Sequence, residues 1–267
     1  MIVLQRHRGP FIQTEYFFPN NQQLHGLIKG IRQREILKIW HAPVRLEQLP
    51  EIVSETPNPT TVIDLRQSLD QILRRIHPRT RTYIRGASKF GARLRIASDE
   101  QARIDLMALH ERLVLAKDYR AQPGSWARFG SIRAFTDAFT AYLDGVPLCA
   151  HLIIRDDESG TATYGPAGSA RSTGESANLI GQINKYLHWN EIAHYKAAGF
   201  KIYDFDGIDP GATPPSLVRF KLEFGGDFTT MYHYILAGPI AKAGIQVNER
   251  ARTLLRRVGF EPLPRTF

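Results

Sequence analysis

Apolar residues Leu65, Leu69, Ile72, Leu73 and Ile76 recur at i, i+4, i+7, i+8 and i+11, one face of a helix. His77-Pro78 breaks that pattern, and Pro78 suits the first turn of a second helix, RTRTYIRGASKFG, which Gly91 ends. GARLRIA then reads as a strand, and SDEQARIDLMALHERLVLAK as a long amphipathic helix capped by Ser98 or Asp99. The middle of the chain alternates as β structure does. AFTAYLDGVPLCAHLIIRDD predicts two strands around Asp144-Gly145, a short hairpin, and a turn through DDESG leads to a third antiparallel strand, TATYGPAG. The loop GSARSTGESAN opens a long helix from about Asn178 to Ala198, closed by Gly199. KIYDFDGI reads as a strand, GIDPGATPP as a proline-rich turn, SLVRFKLEF as a short helix and DFTTMYHYIL as a final strand. VNERARTLLRRVG predicts one more basic helix.

The first 60 residues are patterned less clearly. IVLQRHRG and REILKIWHAPV read as strands, with a helix near Leu24–Gly30 between them. The proline-rich SETPNPTT, residues 54–61, is the candidate linker, and TTVIDL follows as a short buried strand. The expected division is therefore a reduced N-terminal subdomain, residues 1–60, and a main domain, residues 61–267.

Charge narrows the set of partners. Lys and Arg number 35 against 26 Asp and Glu, a formal net charge of +9, which favours phosphate-bearing partners such as nucleic acid, CoA or an anionic surface. Arg81, Arg85 and Lys89 fall four apart along the second helix and predict one basic stripe, either a solvated face or a phosphate contact. No apolar run approaches the roughly 18 to 20 residues of a membrane span. MIVLQRHRGP lacks a signal-peptide pattern, so a cytoplasmic protein is expected. The single cysteine, Cys149, excludes an internal disulfide framework and a multi-cysteine zinc site.

The element order from AFTAYL, residue 138, onward is a three-strand meander, a loop, a long helix, a strand, a short helix and a strand. This order resembles the core of the Gcn5-related acyltransferases (the GNAT fold), in which two strands splay into a V-shaped cleft that holds an acyl donor. KIYDFDGIDP followed by LVRFKLEFGGDF resembles the C-terminal signature of the FemAB/FemX aminoacyltransferases, which share that fold. TTVIDLRQSLDQILRRIHPRTRTYIRGASKFGARLRI is similar to a second block of that family, and the resemblance covers roughly residues 60 to 236. It implies a GNAT-like α/β (α+β) fold, a mixed and mostly antiparallel sheet flanked by helices. The implied reaction is transfer of an aminoacyl group from aminoacyl-tRNA to an amine on a peptidoglycan precursor, a peptide or a small molecule. tRNA is then a partner and co-substrate, and no resident cofactor is called for. By position, Lys221 would stabilise the oxyanion or the tRNA 3′ end, and Phe220 would contact the terminal nucleotide. A donor aimed at such an oxyanion is typically worth about 10²–10³ in rate.

Other residues carry open alternatives. In RFKLEFGG, Lys221 is either a solvated lysine on a helix whose Phe220 and Phe224 face inward, or a cation pointed into a site, while Gly225 stops the helix. Asp206 is either a carboxylate that orients or deprotonates the attacking ammonium, or simply part of an Asp206-Gly207 turn. RSTGES matches the GNAT pyrophosphate loop in part: Arg171 and Gly174 fit, and Ser176 stands where Gly or Ala belongs. That partial match keeps an acyl-CoA N-acyltransferase as the alternative. A fold that only binds nucleic acid or an anionic surface is the third reading. His188 and Glu191 have metal-like spacing, but the apolar helix around them favours hydrogen-bonded core residues, and no metal is assigned. Cys149 is read as a core thiol.

Overall fold

The computed structural model describes residues 1–116, 129–170, 176–208 and 215–257. The chain packs as two units. One holds Met1–Pro57 with the described residues from Met231 on, and the other holds Asn58–Thr230. The sequence boundary at residue 60 lies close to the first break, but the return of residues 231 onward to the N-terminal unit is not visible in local pattern.

The N-terminal unit has strands β1 (Ile2–Arg8), β2 (Phe11–Phe17) and β3 (Glu35–Ala42), with helix α1 (Asn21–Lys29) between β2 and β3. Asn20 caps α1 through a capping box with Gln23. β2 lies parallel to β3 and antiparallel to β1, and Leu24, Leu37, Ile39, Tyr234 and Leu236 form the core. The FIQTEYF strand escapes the hydrophobic pattern because Gln13, Thr14 and Glu15 are themselves buried.

β4 (Ile52–Asp64) runs through SETPNPTT, so the expected linker is strand, and the break between the two units falls inside it. The physical reason lies in the prolines: Pro57 and Pro59 push Thr56 and Asn58 towards extended backbone, which prolongs a strand as readily as it ends a helix. In the second unit β4 is followed by α2 (Leu69–Arg75), α3 (Pro78–Ala87), β5 (Leu94–Ala97) and α4 (Glu100–Ala116). Ser68 and Gln71 form a capping box at α2, and Asp99 caps α4 by accepting from the Ala102 amide at 2.8 Å. Next come β6 (Thr136–Leu143), β7 (Val146–Asp156), β8 (Thr161–Ser169), α5 (Ala177–Ala197), β9 (Ile202–Asp204), α6 (Pro215–Leu222) and β10 (Asp227–Ala237). α7 (Pro239–Arg257) follows in the N-terminal unit. The β6–β7 turn has positive φ at both Asp144 and Gly145, the mirror-image turn that matches strand twist.

The strand order in the second unit is β4-β9-β8-β7-β6-β5, antiparallel throughout except for the β8–β9 pair. Its core runs between this sheet and α5, with Ile180, Ile183, Leu187 and Ile192 packed on Leu152, Ala162 and Tyr203. Gly225 ends the chain run after α6 at φ +69°, and a Cβ built there would sit 2.1 Å from the Arg75 carbonyl oxygen. Gly225→Ala is therefore expected to cost about 2–3 kcal/mol, read as a lower urea midpoint at unchanged m.

Candidate functional site

β8 and β9 pair over only three positions, Thr161↔Ile202, Ala162↔Tyr203 and Thr163↔Asp204. β9 stops at Asp204 while β8 continues to Ser169, so the strands part there. The KIYDFDGI strand is thus shorter than its sequence suggests. Phe205 is buried, and Asp206 adopts φ +53°, outside strand geometry. The segment is pinned to β4: the Phe205 amide donates to Thr61 O, the Ile208 amide to Pro59 O, and Asn58 Nδ2 to the Asp206 carboxylate at 2.7 Å. The Asp204 carboxylate accepts from Thr60 Oγ1 and from the Asp206 amide.

Lys221 reaches this parting from α6. It is 5% exposed, and its Nζ donates to the carbonyls of Asp206 at 2.8 Å and Gly207 at 2.9 Å. Nζ also stands 5.5 Å from the Tyr164 ring centre. An ammonium has three protons, so two are committed to carbonyls and one remains for the ring face or for a substrate oxygen. Burial lowers the Lys221 pKa, and the charges of Asp206 and Asp204 oppose that fall. The solvated-lysine alternative is therefore replaced by an inward-pointing cation. Asp206 serves as a turn residue whose carbonyl holds Lys221, and its carboxylate is half-buried against Asn58.

Phe220 is half-buried and packs edge-on to Phe224, with ring centres 5.6 Å apart, and against His188 at 5.4 Å. On its other side Lys185 Nζ lies 5.8 Å away, held by Thr80 Oγ1 at 2.9 Å and the Glu223 carboxylate at 2.5 Å. Sequence reasoning missed this buried lysine.

Beneath Tyr164 lies a buried polar cluster spanning β7, β9 and α5. His151 Nδ1 meets Glu191 Oε1 at 2.7 Å and His151 Nε2 meets Asn184 Oδ1 at 2.7 Å. Tyr203 donates to Glu191 Oε2 at 2.6 Å, and His188 Nδ1 lies 2.9 Å from the Tyr203 hydroxyl. Burial works to raise the Glu191 pKa, but the charge and hydrogen bonds of His151, with those of His188, outweigh it and hold the carboxyl near about 2. Burial, reinforced by His151, pulls His188 down to about 4. His151, His188 and Glu191 offer ligand atoms within 4.8 Å of one another. Both His151 nitrogens and both Glu191 oxygens already have partners, so an ion would displace the hydrogen bonds that define the cluster.

The expected basic stripe breaks up. α3 ends at Ala87, which leaves Lys89 on the following 3₁₀ turn, exposed, and Arg85 exposed on the helix. Arg81 is half-buried, and its guanidinium donates to the Arg74 carbonyl at 3.0 Å. Arg171 and Gly174 lie outside the described residues. Ser176 is exposed at the start of α5, and its side chain makes no capping hydrogen bond. Cys149 is buried with Sγ directed at the Ile180 carbonyl, a core thiol. No helix among the described residues is long and apolar enough to cross a membrane.

No family model matches the chain, and no curated protein matches it. Solved structures do match. The crystal structure of FemX aligns at 12% identity with a TM-score of 0.63, over 92% of this chain and 86% of that one. The C-terminal domain of a putative lysylphosphatidylglycerol synthetase from Agrobacterium fabrum aligns at 13% identity and TM-score 0.55, over 95% and 85%. A conserved protein of unknown function from Bacteroides thetaiotaomicron aligns at 10% identity and TM-score 0.51, over 88% and 82%. At such identities the shared property is architecture: the chain has a FemX-like GNAT fold, with Lys221 at the parting of its two parallel strands.

Proposed function

We propose that the chain is an acyltransferase that moves an aminoacyl group from the ester of an aminoacyl-tRNA to an amine. The observation that carries this reading is the ammonium of Lys221, buried and fixed by two carbonyls where β8 and β9 part. The amine nitrogen attacks the ester carbonyl and forms a tetrahedral oxyanion. The remaining Lys221 proton stabilises that oxygen without having to reorganise. Collapse breaks the ester C–O bond, forms the amide and returns the ribose hydroxyl, which takes up the proton lost by the amine. The Asp206 carboxylate orients the incoming neutral amine by accepting from its N–H, and Phe220 borders the path of the terminal nucleotide. Exposed Arg85 and Lys89, with the net charge of +9, provide contacts for the RNA backbone. Arg81 turns away towards Arg74. The acyl-CoA alternative is weakened on β8 beyond the parting. There His110 Nδ1 already meets the Ala167 carbonyl at 2.9 Å, and a Cβ at Gly168 would lie 2.5 Å from the His110 amide.

The test is binding of deacylated tRNA and of acetyl-CoA to the full chain across a salt series. Micromolar tRNA affinity falling steeply with salt, and no saturable CoA signal, is the expected outcome. Saturable CoA binding with feeble tRNA affinity would sink the proposal and return Lys221 to an acyl-CoA site.

A further inference from the structure

α6 has two faces. Phe220 points into the core, beside Phe224 just past the helix end, while Pro215, Val218, Arg219 and Leu222, spaced i, i+3, i+4 and i+7, line a separate groove of about 770 Å³ against α2 and the start of α3. From these helices come Arg74, Arg75 and Arg81, and from the turn between them His77. Arg75 is paired with Asp227, and the Glu223 carboxylate is matched by Lys185 and Thr80. Arg74, Arg81 and Arg219 have no acidic partner among the described residues. Three unmatched guanidiniums around one concavity repel each other and favour an anion, and their planar forks suit phosphate. The walls between them are aliphatic: Ile76, Pro78, Pro215, Val218 and Leu222. Among the described residues no Phe, Tyr or Trp lines the groove, and so none of them offers a platform for nucleotide bases. On the same helix Leu217 is 38% and Leu222 47% exposed. The volume is that of a small-molecule site.

We infer that this groove binds the phosphate ester of an aliphatic chain, with the phosphate on Arg74, Arg81 and Arg219 and the methylenes along Val218 and Leu222. The site is independent of the transfer reaction, so its failure would leave that proposal untouched.

Calorimetric titration of the full chain with monomeric dodecyl phosphate is the test, beside inorganic phosphate, dodecyl maltoside and a single-stranded RNA 12-mer. Dodecyl phosphate is expected to bind at least ten times more tightly than either inorganic phosphate or the neutral detergent. Arg219→Gln should weaken it about tenfold, and Val218→Trp, which fills the groove, should abolish it. Arg112→Gln, exposed on α4, should leave it unchanged. Far-UV circular dichroism checks that each variant folds. Equal affinity for dodecyl maltoside would overturn the inference, since the arginines would then contribute nothing. RNA that displaces dodecyl phosphate and loses its own affinity in Val218→Trp would overturn it in favour of a nucleic-acid groove. Competition by vesicles containing phosphatidic acid upholds the site with a bilayer lipid as source, and binding without such competition upholds it with a soluble ester.

Discussion

Lys221→Met is expected to lower kcat for aminoacyl transfer by about 10²–10³ while leaving the affinity for tRNA within a few fold. Methionine keeps the length of the side chain and its apolar stem but removes every N–H, so the oxyanion loses its fixed donor. The same change strips a donor from the Asp206 and Gly207 carbonyls, which costs about 1–2 kcal/mol and a few degrees in Tm. Single-turnover kinetics on a charged tRNA separate the two effects, because a merely misfolded site would lose binding as well as rate. The pH profile gives a second readout. Lys221 acts as a donor only while protonated, and burial lowers its pKa against the pull of Asp206 and Asp204. With hydroxylamine as a weakly basic acceptor, the wild-type rate should fall on the alkaline side earlier than a free lysine would dictate. The methionine variant should lack that limb. An unchanged rate in Lys221→Met would remove the cation from the mechanism.

Much of the main domain is legible because its signals are local. Asp144-Gly145, the Asp99 cap and the spacing of Leu69, Ile72 and Leu73 each specify their element without help from distant residues, while Leu65 and Ile76, read as part of the same helical face, fall just outside α2. The inward direction of Lys221 is not local. Its neighbours Phe220 and Phe224 mark the apolar face, and the lysine beside them looks solvated until the carbonyls of Asp206 and Gly207 arrive from the strand parting. The return of β10 to the N-terminal unit rests on pairing such as Leu236 with Leu37, some 200 residues apart in sequence, which no window can see. The prolines of SETPNPTT mislead because proline is compatible with extended backbone as well as with linkers. His151 gives no signal either: it is a lone histidine in an apolar strand, and its partner Glu191 is 40 residues away. The one clue is on α5, where Lys185, His188 and Glu191 occupy positions three apart among buried isoleucines and leucines.

Glu191→Gln is expected to destabilise the protein by about 3–5 kcal/mol, since it leaves His151 buried without its carboxylate. Acid should reach the same cluster in two stages. The His188 pKa is lowered from 6.5 to about 4, so the unfolded chain takes up that proton first, and stability falls as pH drops from 6.5 to about 4. The Glu191 pKa is lowered from 4.5 to about 2, so its contribution is present above 4.5 and lost as pH falls towards 2. Each displacement is on the order of 3 kcal/mol. Urea unfolding of wild type and His188→Asn between pH 7 and pH 3 distinguishes them. The asparagine variant should lose the fall between 6.5 and 4 and keep the one below 4.5, whereas parallel curves would refute the assignment. The consequence reaches the proposed transfer site, because the Tyr164 ring that faces the Lys221 ammonium packs directly on His151 and His188, with centres 4.9 and 4.8 Å away. Native His188 takes up its proton only as pH approaches about 4, so acid loosens the floor under Lys221 there, and the rate of the proposed transfer should hold down to that point and fall near pH 4.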